Sequence, residues 1–328
     1  MRQRNQAIDI LKGIGIILVL AAHSIEGWLS QFAYTFHMPL FFIVTGLFIK
    51  VYERNNETPF SDWWRSVVVR DFKRLLYPAF FTLAIILTVS SLSYIINDSY
   101  LRNPIRLIWN NNPEKPIGNI TMLGNLWFLF ALFFGKQFFY MVNKISQKYI
   151  AYIFIGIIAV VIGHWYSLPF EILTGISIIP FIYIGWYIRN NGGVSGKLKK
   201  WYYLTIPLWI IYIFFGGMQI GYMQFSWLYV FDIFAACGGT LFFYIISKQI
   251  SEKTKYASKV LAFLGVNSLI LICAPTIETY CFPLREILPD LPHKMVFVVA
   301  GKTLWCVLFI WLCYKIKMLT RIFGIKNV

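Results

Sequence analysis

Residues 4–24 read RNQAIDILKGIGIILVLAAHS. About 20 predominantly apolar residues suffice for a helix to cross the hydrocarbon of a bilayer, yet this run carries Asp9 and Lys12 near one end and His23 near the other. A helix rises about 1.5 Å and turns about 100° per residue, so Lys12 and His23 fall on nearly the same face, about 16 Å apart along the axis. Ionisable groups at membrane depth are costly and as a rule face a protein-lined cavity, which makes them functional candidates. The rival reading is a secretory signal, because Arg2 and Arg4 precede the run and small residues close it. Asp9 and Lys12 interrupt the start of the run, and the later spans need no export signal.

The whole composition points the same way. Of 328 residues, 58% are hydrophobic and 13% charged, and the mean hydropathy is +0.63, too little polar material to coat a water-soluble globule. The apolar runs recur from near residue 8 to near residue 316, linked by short segments, so a single transmembrane domain over 1–328 is expected. A net charge of +16 reports topology here rather than nucleic-acid binding, because basic residues collect on the cytoplasmic side of membrane proteins. Cys237, Cys273, Cys281, Cys306 and Cys313 are scattered in or near apolar runs without C-x-x-C spacing. Neither a disulfide framework nor a metal site is indicated.

Apolar runs place spans near 8–28, 36–52, 75–96, 122–142, 149–166, 169–188, 202–218, 227–247, 260–281 and 295–315. The expected architecture is therefore all-α, with about ten transmembrane helices. With the N-terminus inside, the inner segments collect Arg54, Arg65, Arg70, Lys73 and Arg74, then Lys144 and Lys148, then Arg189 to Lys200, then Lys248 to Lys259 and the tail. The outer segments hold only Arg102, Arg106, Lys115, Arg285 and Lys294. That bias supports an even span count and two cytoplasmic termini. The longest inner segment, VYERNNETPFSDWWRSVVVRDFKRLLYP at 51–78, mixes cations with Phe60, Trp63 and Trp64, as an interfacial helix lying on the membrane does. Alternatively, Arg70, Lys73 or Arg74 meets a phosphorylated cytosolic ligand.

The second span opens with FHMPLFFIVTGLF, which puts His37 at its outer end, at the depth of His23. His164, Glu171, Asp232, Glu278 and Lys302 also gather toward the outer half, each read as a hydrogen-bonded structural residue. His23 stands apart through its constellation, a cation on the same face below it and a second histidine beside it. Snorkelling to the inner interface remains the plain alternative for Lys12. GKT at 301–303 imitates a phosphate loop, but Val296 occupies the place of the earlier glycine. Serine-hydrolase elbows, zinc-protease and dinucleotide motifs are absent from the sequence.

In order and spacing, IDILKGIGIILVLAAHS, FHMPLFFIVTGLF, RDFKRLLYP, LWFLFALF and FLGVNSLIL resemble the acyltransferase-3 family of multispan membrane O-acyltransferases. The branch most alike is the fucose 4-O-acetylase-like or polysaccharide O-acetyltransferase group. The likeness covers nearly the whole chain and is most specific in the first two spans. The family's hallmark, a basic residue and an essential histidine separated by ten residues, is matched by Lys12 and His23, with Lys in place of the usual Arg. Lysine keeps the charge but loses the bidentate fork. Asp9 matches the acidic residue of the opening motif, His37 the second-helix histidine, and Arg74 the basic residue before the third span. Pro275 stands in the span where many members carry a later histidine.

The resemblance implies transfer of an acyl group, most often acetyl, from cytosolic acetyl-CoA to a hydroxyl of a surface polysaccharide or its precursor, in the bacterial cytoplasmic (inner) membrane. On that reading His23, His37 and Asp9 are the catalytic set, and Lys12, Lys73 and Arg74 hold the CoA, with no metal. Direct transfer and an acyl-histidine intermediate both remain open, as do acetyl against succinyl and a homo-oligomeric state. A glycan transporter or exporter is the alternative from another class, and a structural partner of a polysaccharide synthase is a third.

Overall fold

The computed structural model describes residues 5–24, 27–53, 57–96, 124–166, 168–193, 199–226, 228–288 and 294–325. Among them the secondary structure is helical, and the one β feature is an isolated bridge between Gln219 and Gln224. The helices are α1 (Gln6–Ser24), α2 (Trp28–Tyr34), α3 (His37–Phe48), α4 (Phe60–Asp71), α5 (Tyr77–Ile96), α6 (Trp127–Ile145), α7 (Tyr149–Trp165), α8 (Ile172–Ser177), α9 (Ile179–Asn190) and α10 (Lys199–Phe215). They are followed by α11 (Tyr229–Lys253), α12 (Lys255–Val266), α13 (Ser268–Cys281), α14 (Leu284–Ile287), α15 (Lys294–Lys315) and α16 (Lys317–Ile322).

Five stretches among the described residues are long and apolar enough to cross a bilayer: Trp28–Phe48, Phe60–Leu92, Gly124–Ile145, Tyr229–Lys253 and Lys294–Lys315. Two broken pairs, Pro169–Ser177 with Ile179–Asn190 and Lys255–Val266 with Ser268–Ile287, raise the number to seven if each is one span. The chain is thus a multi-pass membrane protein. Helices α1, α7 and α10 also stand at the remaining expected places, α7 and α10 as shorter apolar helices.

Two departures from the sequence reading have plain causes. The segment expected to lie along the membrane surface instead runs on as one helix of 33 residues from Phe60 to Leu92, about 50 Å of helix against about 30 Å of hydrocarbon. A helix of that length standing along the bilayer normal would carry its polar first part past the hydrocarbon. Where α4 meets α5, Phe72–Leu76 widens into a π turn in which the Tyr77 N–H donates to the Phe72 carbonyl. Pro78 supplies the reason, since its ring crowds the carbonyl four residues back and its nitrogen has no proton to offer it. In the second departure, the loop expected before the second span is itself helical, as α2. Thr35 and Phe36 join it to α3, with their N–H groups donating to Phe32 and Ala33.

The helices cluster into two compact units interleaved along the chain: residues 1–63, 134–165 and 172–268 form the first, and 64–133, 166–171 and 269–328 the second. In the first, α1 packs against α12, α11 and α3, α9 against α3, and α10 against α11. Glycines set these contacts. A Cβ on Gly13 would lie 2.0 Å from the Leu261 carbonyl oxygen, and one on Gly265 would lie 1.8 Å from that of Asp9. Gly46 and Gly185 face Ile182 and Ile43 in the same way, at 2.0 and 1.9 Å, and Gly238 faces Thr205 at 2.0 Å. In lipid, apolar helices gain little by leaving a solvent as apolar as themselves, so close backbone approach and dispersion must hold them. In the second unit, aromatic edges do the packing: Phe80 on Phe130 at 5.4 Å, and Phe323 between Phe81 and Phe309 at 6.4 and 5.8 Å.

Gly265→Val puts a branched side chain where a carbonyl oxygen already sits. It should cost at least about 1–3 kcal/mol, seen as a melting temperature several degrees lower, or loss of the monodisperse peak, in size-exclusion chromatography of the solubilised protein. Gly217→Ala, whose Cβ would meet nothing closer than 3.9 Å, is expected to leave both unchanged.

Candidate active site

The first unit assembles Asp9 and Lys12. Gln6 anchors the start of α1, donating from Nε2 to the Ser258 hydroxyl at 3.1 Å and accepting at Oε1 from the Ser251 hydroxyl at 3.3 Å. The next turn carries Asp9, which a helix N-terminus favours through its partial positive charge. Gly265 lets α12 close over this turn, and Asp9 is buried as a result. The Lys12 Nζ lies 2.8 Å from Asp9 Oδ1, one turn along the helix. A part-exposed pair of this kind contributes at most about 1 kcal/mol to stability. Its consequence is positional: Lys12 is held toward the Asp9 end of α1 rather than extended into lipid.

Because α1 is unbroken from Gln6 to Ser24, the Cα atoms of Lys12 and His23 lie about 20° apart around the axis and about 16 Å apart along it. The side chain of His23 lies outside the described residues. His37 opens α3 and is buried, with Nδ1 against the Ala33 carbonyl of the preceding helix. The Tyr34 ring meets the imidazole edge-on at 5.2 Å. Next to it, Trp209 donates from Nε1 to the Thr35 hydroxyl at 2.9 Å, tying the α2–α3 junction to α10. Lys73 and Arg74 belong to the second unit, exposed on the π turn, while the neighbouring Arg70 donates from Nε to the buried Asp71 carboxylate at 3.2 Å.

Of the polar residues expected in the outer half, Asp232 is fully buried and accepts from the Tyr212 hydroxyl at 2.7 Å and the Ser226 N–H at 2.8 Å. It is a structural anchor, as its sequence reading had it. His164 is exposed and meets the Trp165 ring edge-on. Glu278 and Lys302 were read singly, but the second unit brings them together. The Lys302 Nζ lies 3.2 Å from Glu278 Oε2, the other carboxylate oxygen accepts the Leu284 N–H at 2.9 Å, and Glu278 is buried. An ionisable residue in each of two apolar runs was the available signal. Nothing in the sequence pairs positions 24 residues apart across a turn. Among the described residues there is no group of three or more His, Cys, Asp or Glu side chains placed to hold a metal ion.

Each unit buries an ionisable pair in apolar helices, Asp9 with Lys12 in the first and Glu278 with Lys302 in the second. The class is given by comparison with known families. A family model described as an acyltransferase domain (Acyl_transf_3) matches residues 5–315. The chain belongs to this acyltransferase family and is a membrane acyltransferase. No curated protein and no solved structure matches it.

Glu278→Gln leaves Lys302 without its counter-charge in an apolar span, at an expected cost of about 3–5 kcal/mol. Thermal unfolding in lipid nanodiscs should show a drop of several degrees, and Glu278→Gln combined with Lys302→Met should recover part of it.

Proposed function

We propose that the protein is an O-acetyltransferase of the bacterial cytoplasmic membrane, with both termini in the cytoplasm. It moves the acetyl group of acetyl-CoA to a hydroxyl of a surface polysaccharide or its precursor. The observation that carries this reading is α1 itself, in a chain of the acyltransferase family. One unbroken helix holds a clamped cation, Lys12 on Asp9, on nearly the same face as His23.

The chemistry divides along that helix. Acetyl-CoA is a polyanion, and Lys12 is the first unit's cation for its phosphates at the cytoplasmic side; Lys73 and Arg74 are the second unit's candidates for the same role. The thin pantetheine arm is the part that reaches between helices toward His23. There the acceptor oxygen attacks the thioester carbonyl, the C–S bond breaks, and an ester forms. The imidazole, whose ordinary pKa lies near neutrality, takes the hydroxyl proton and returns it to the departing thiolate. Alternatively, the imidazole nitrogen accepts the acetyl group first and passes it on. His37 helps to shape the acceptor end, and Asp9 fixes Lys12. As a diphosphate partner Lys12 acts as a point charge rather than a fork.

CoA release from acetyl-CoA by the purified protein in lipid, with the producing cell's glycans as acceptor, tests this. His23→Ala should lower the rate at least about 100-fold while the protein still inserts and elutes as a single species. A folded wild type that releases no CoA would turn the assignment toward a glycan transporter. Lys12→Met is expected to raise the KM for acetyl-CoA about tenfold or more, with Lys12→Arg close to wild type. An unchanged KM would take Lys12 out of donor binding.

A further inference from the structure

The connection between α10 and α11 is an ordered platform rather than a slack loop. Residues 216–226, GGMQIGYMQFS, carry no charge in a chain of net charge +16. They are held at four points. The Met218 N–H donates to the Tyr34 carbonyl at 3.3 Å, and Gln219 and Gln224 exchange both backbone hydrogen bonds, at 2.9 and 3.1 Å. The Met223 side chain fills the space above Gly163 of α7, where a Cβ would lie 2.4 Å from its Cε. The Ser226 N–H ends on the buried Asp232 carboxylate. Met223 closes the turn in the left-handed region at φ 56°, a conformation costly enough in a non-glycine residue to mark a turn that its surroundings impose.

These ties set which side chains point out. Met218 and Ile220 are buried, while Gln219, Gln224 and Tyr222 are exposed, Tyr222 at 70%. The position of the platform is equally defined. It hangs from Tyr34, whose ring meets His37. From its far side α11 runs about 33 Å to Ser251, which meets Gln6. Platform and Asp9–Lys12 thus lie at opposite ends of the first unit, with the platform at the His37 end.

We propose that Tyr222, Gln219 and Gln224 form a recognition platform for a neutral saccharide, the part of the acceptor next to the sugar that is acylated. The inference rests on the acyltransferase reading of the same end of the unit. The phenol face takes the apolar C–H face of a pyranose. Each carboxamide offers donors and an acceptor, the complement of adjacent hydroxyls. An uncharged surface imposes no desolvated charge on a neutral ligand. A tyrosine serving only as a membrane-interface anchor calls for neither two flanking amides nor four ties. Rigidity matters because a preformed site loses little entropy on binding a floppy glycan.

The test uses the full chain in nanodiscs and, as probe, the neutral oligosaccharides released from the producing cell's surface glycan. Saturation-transfer NMR reads binding, and acceptor-dependent CoA release reads turnover. Tyr222→Ala and Gln219→Ala/Gln224→Ala should raise the acceptor KM at least tenfold with kcat within about threefold of wild type, and should abolish saturation transfer to the sugar. Tyr222→Phe should retain both. An unchanged KM together with unchanged saturation transfer, or a wild type that shows no saturation transfer, overturns the platform. If no protein turns over, the acyltransferase reading fails on its own. Saturation transfer seen in wild type and lost in Tyr222→Ala then still establishes a saccharide site.

Discussion

Backbone touches backbone in the first unit, and the other features there depend on it. Gly13 and Gly265 bring α1 and α12 together, Gly46 and Gly185 do so for α3 and α9, and Gly238 lets α11 approach α10. In water the burial of apolar side chains would drive such packing, but lipid removes most of that force. What remains is contact, which grows as the helix axes approach, supplemented by weak Cα–H···O interactions that such proximity allows. Leu261 and Asp9 present their carbonyls to glycines because no other residue leaves room. The same approach buries the Asp9 turn and so decides where Lys12 rests.

Burial has a second effect on the polar side chains. A carboxylate in an apolar span has few ways to be satisfied, and each of those described takes a different one. Asp9 pairs with a lysine on its own helix, Asp232 accepts from a tyrosine and a loop N–H, and Glu278 combines a lysine on another helix with the N–H of Leu284, which opens α14. In two of the three the carboxylate also orders the chain that follows or precedes it. Polar groups that are costly in lipid thereby fix the connections at the ends of the helices. The platform at 219–224 is one outcome, held by Asp232 at one end and by the α2 backbone at the other.

Proline has a comparable reach. Pro78 opens the π turn that exposes Lys73 and Arg74, and Pro180 follows the break at Ile178 that separates α8 from α9 by a bend of 48°. Both are single-residue consequences of a missing N–H and a ring that crowds the preceding turn, and both shift cations or helix axes in ways that hydropathy does not register.

Membership of the membrane class, the helical character and the approximate places of the apolar helices were legible in the sequence. They follow from local quantities, apolar run length and the cost of exposing backbone in lipid. So was the alignment of Lys12 with His23, which helix periodicity alone imposes. The helicity of residues 28–34 and the outward run of α4 into α5 were not, because their composition suits an interface or a loop as well as a helix, and neighbouring elements decide. The partners were not legible either. Asp9 against Lys12 is a contact at three residues' separation that a helix makes available, but Glu278 with Lys302, Ser226 with Asp232 and Tyr34 with Met218 join distant positions. Sequence sets which groups are too costly to leave alone in the membrane. Tertiary structure chooses what satisfies them, because that depends on which helices pack closely enough to meet.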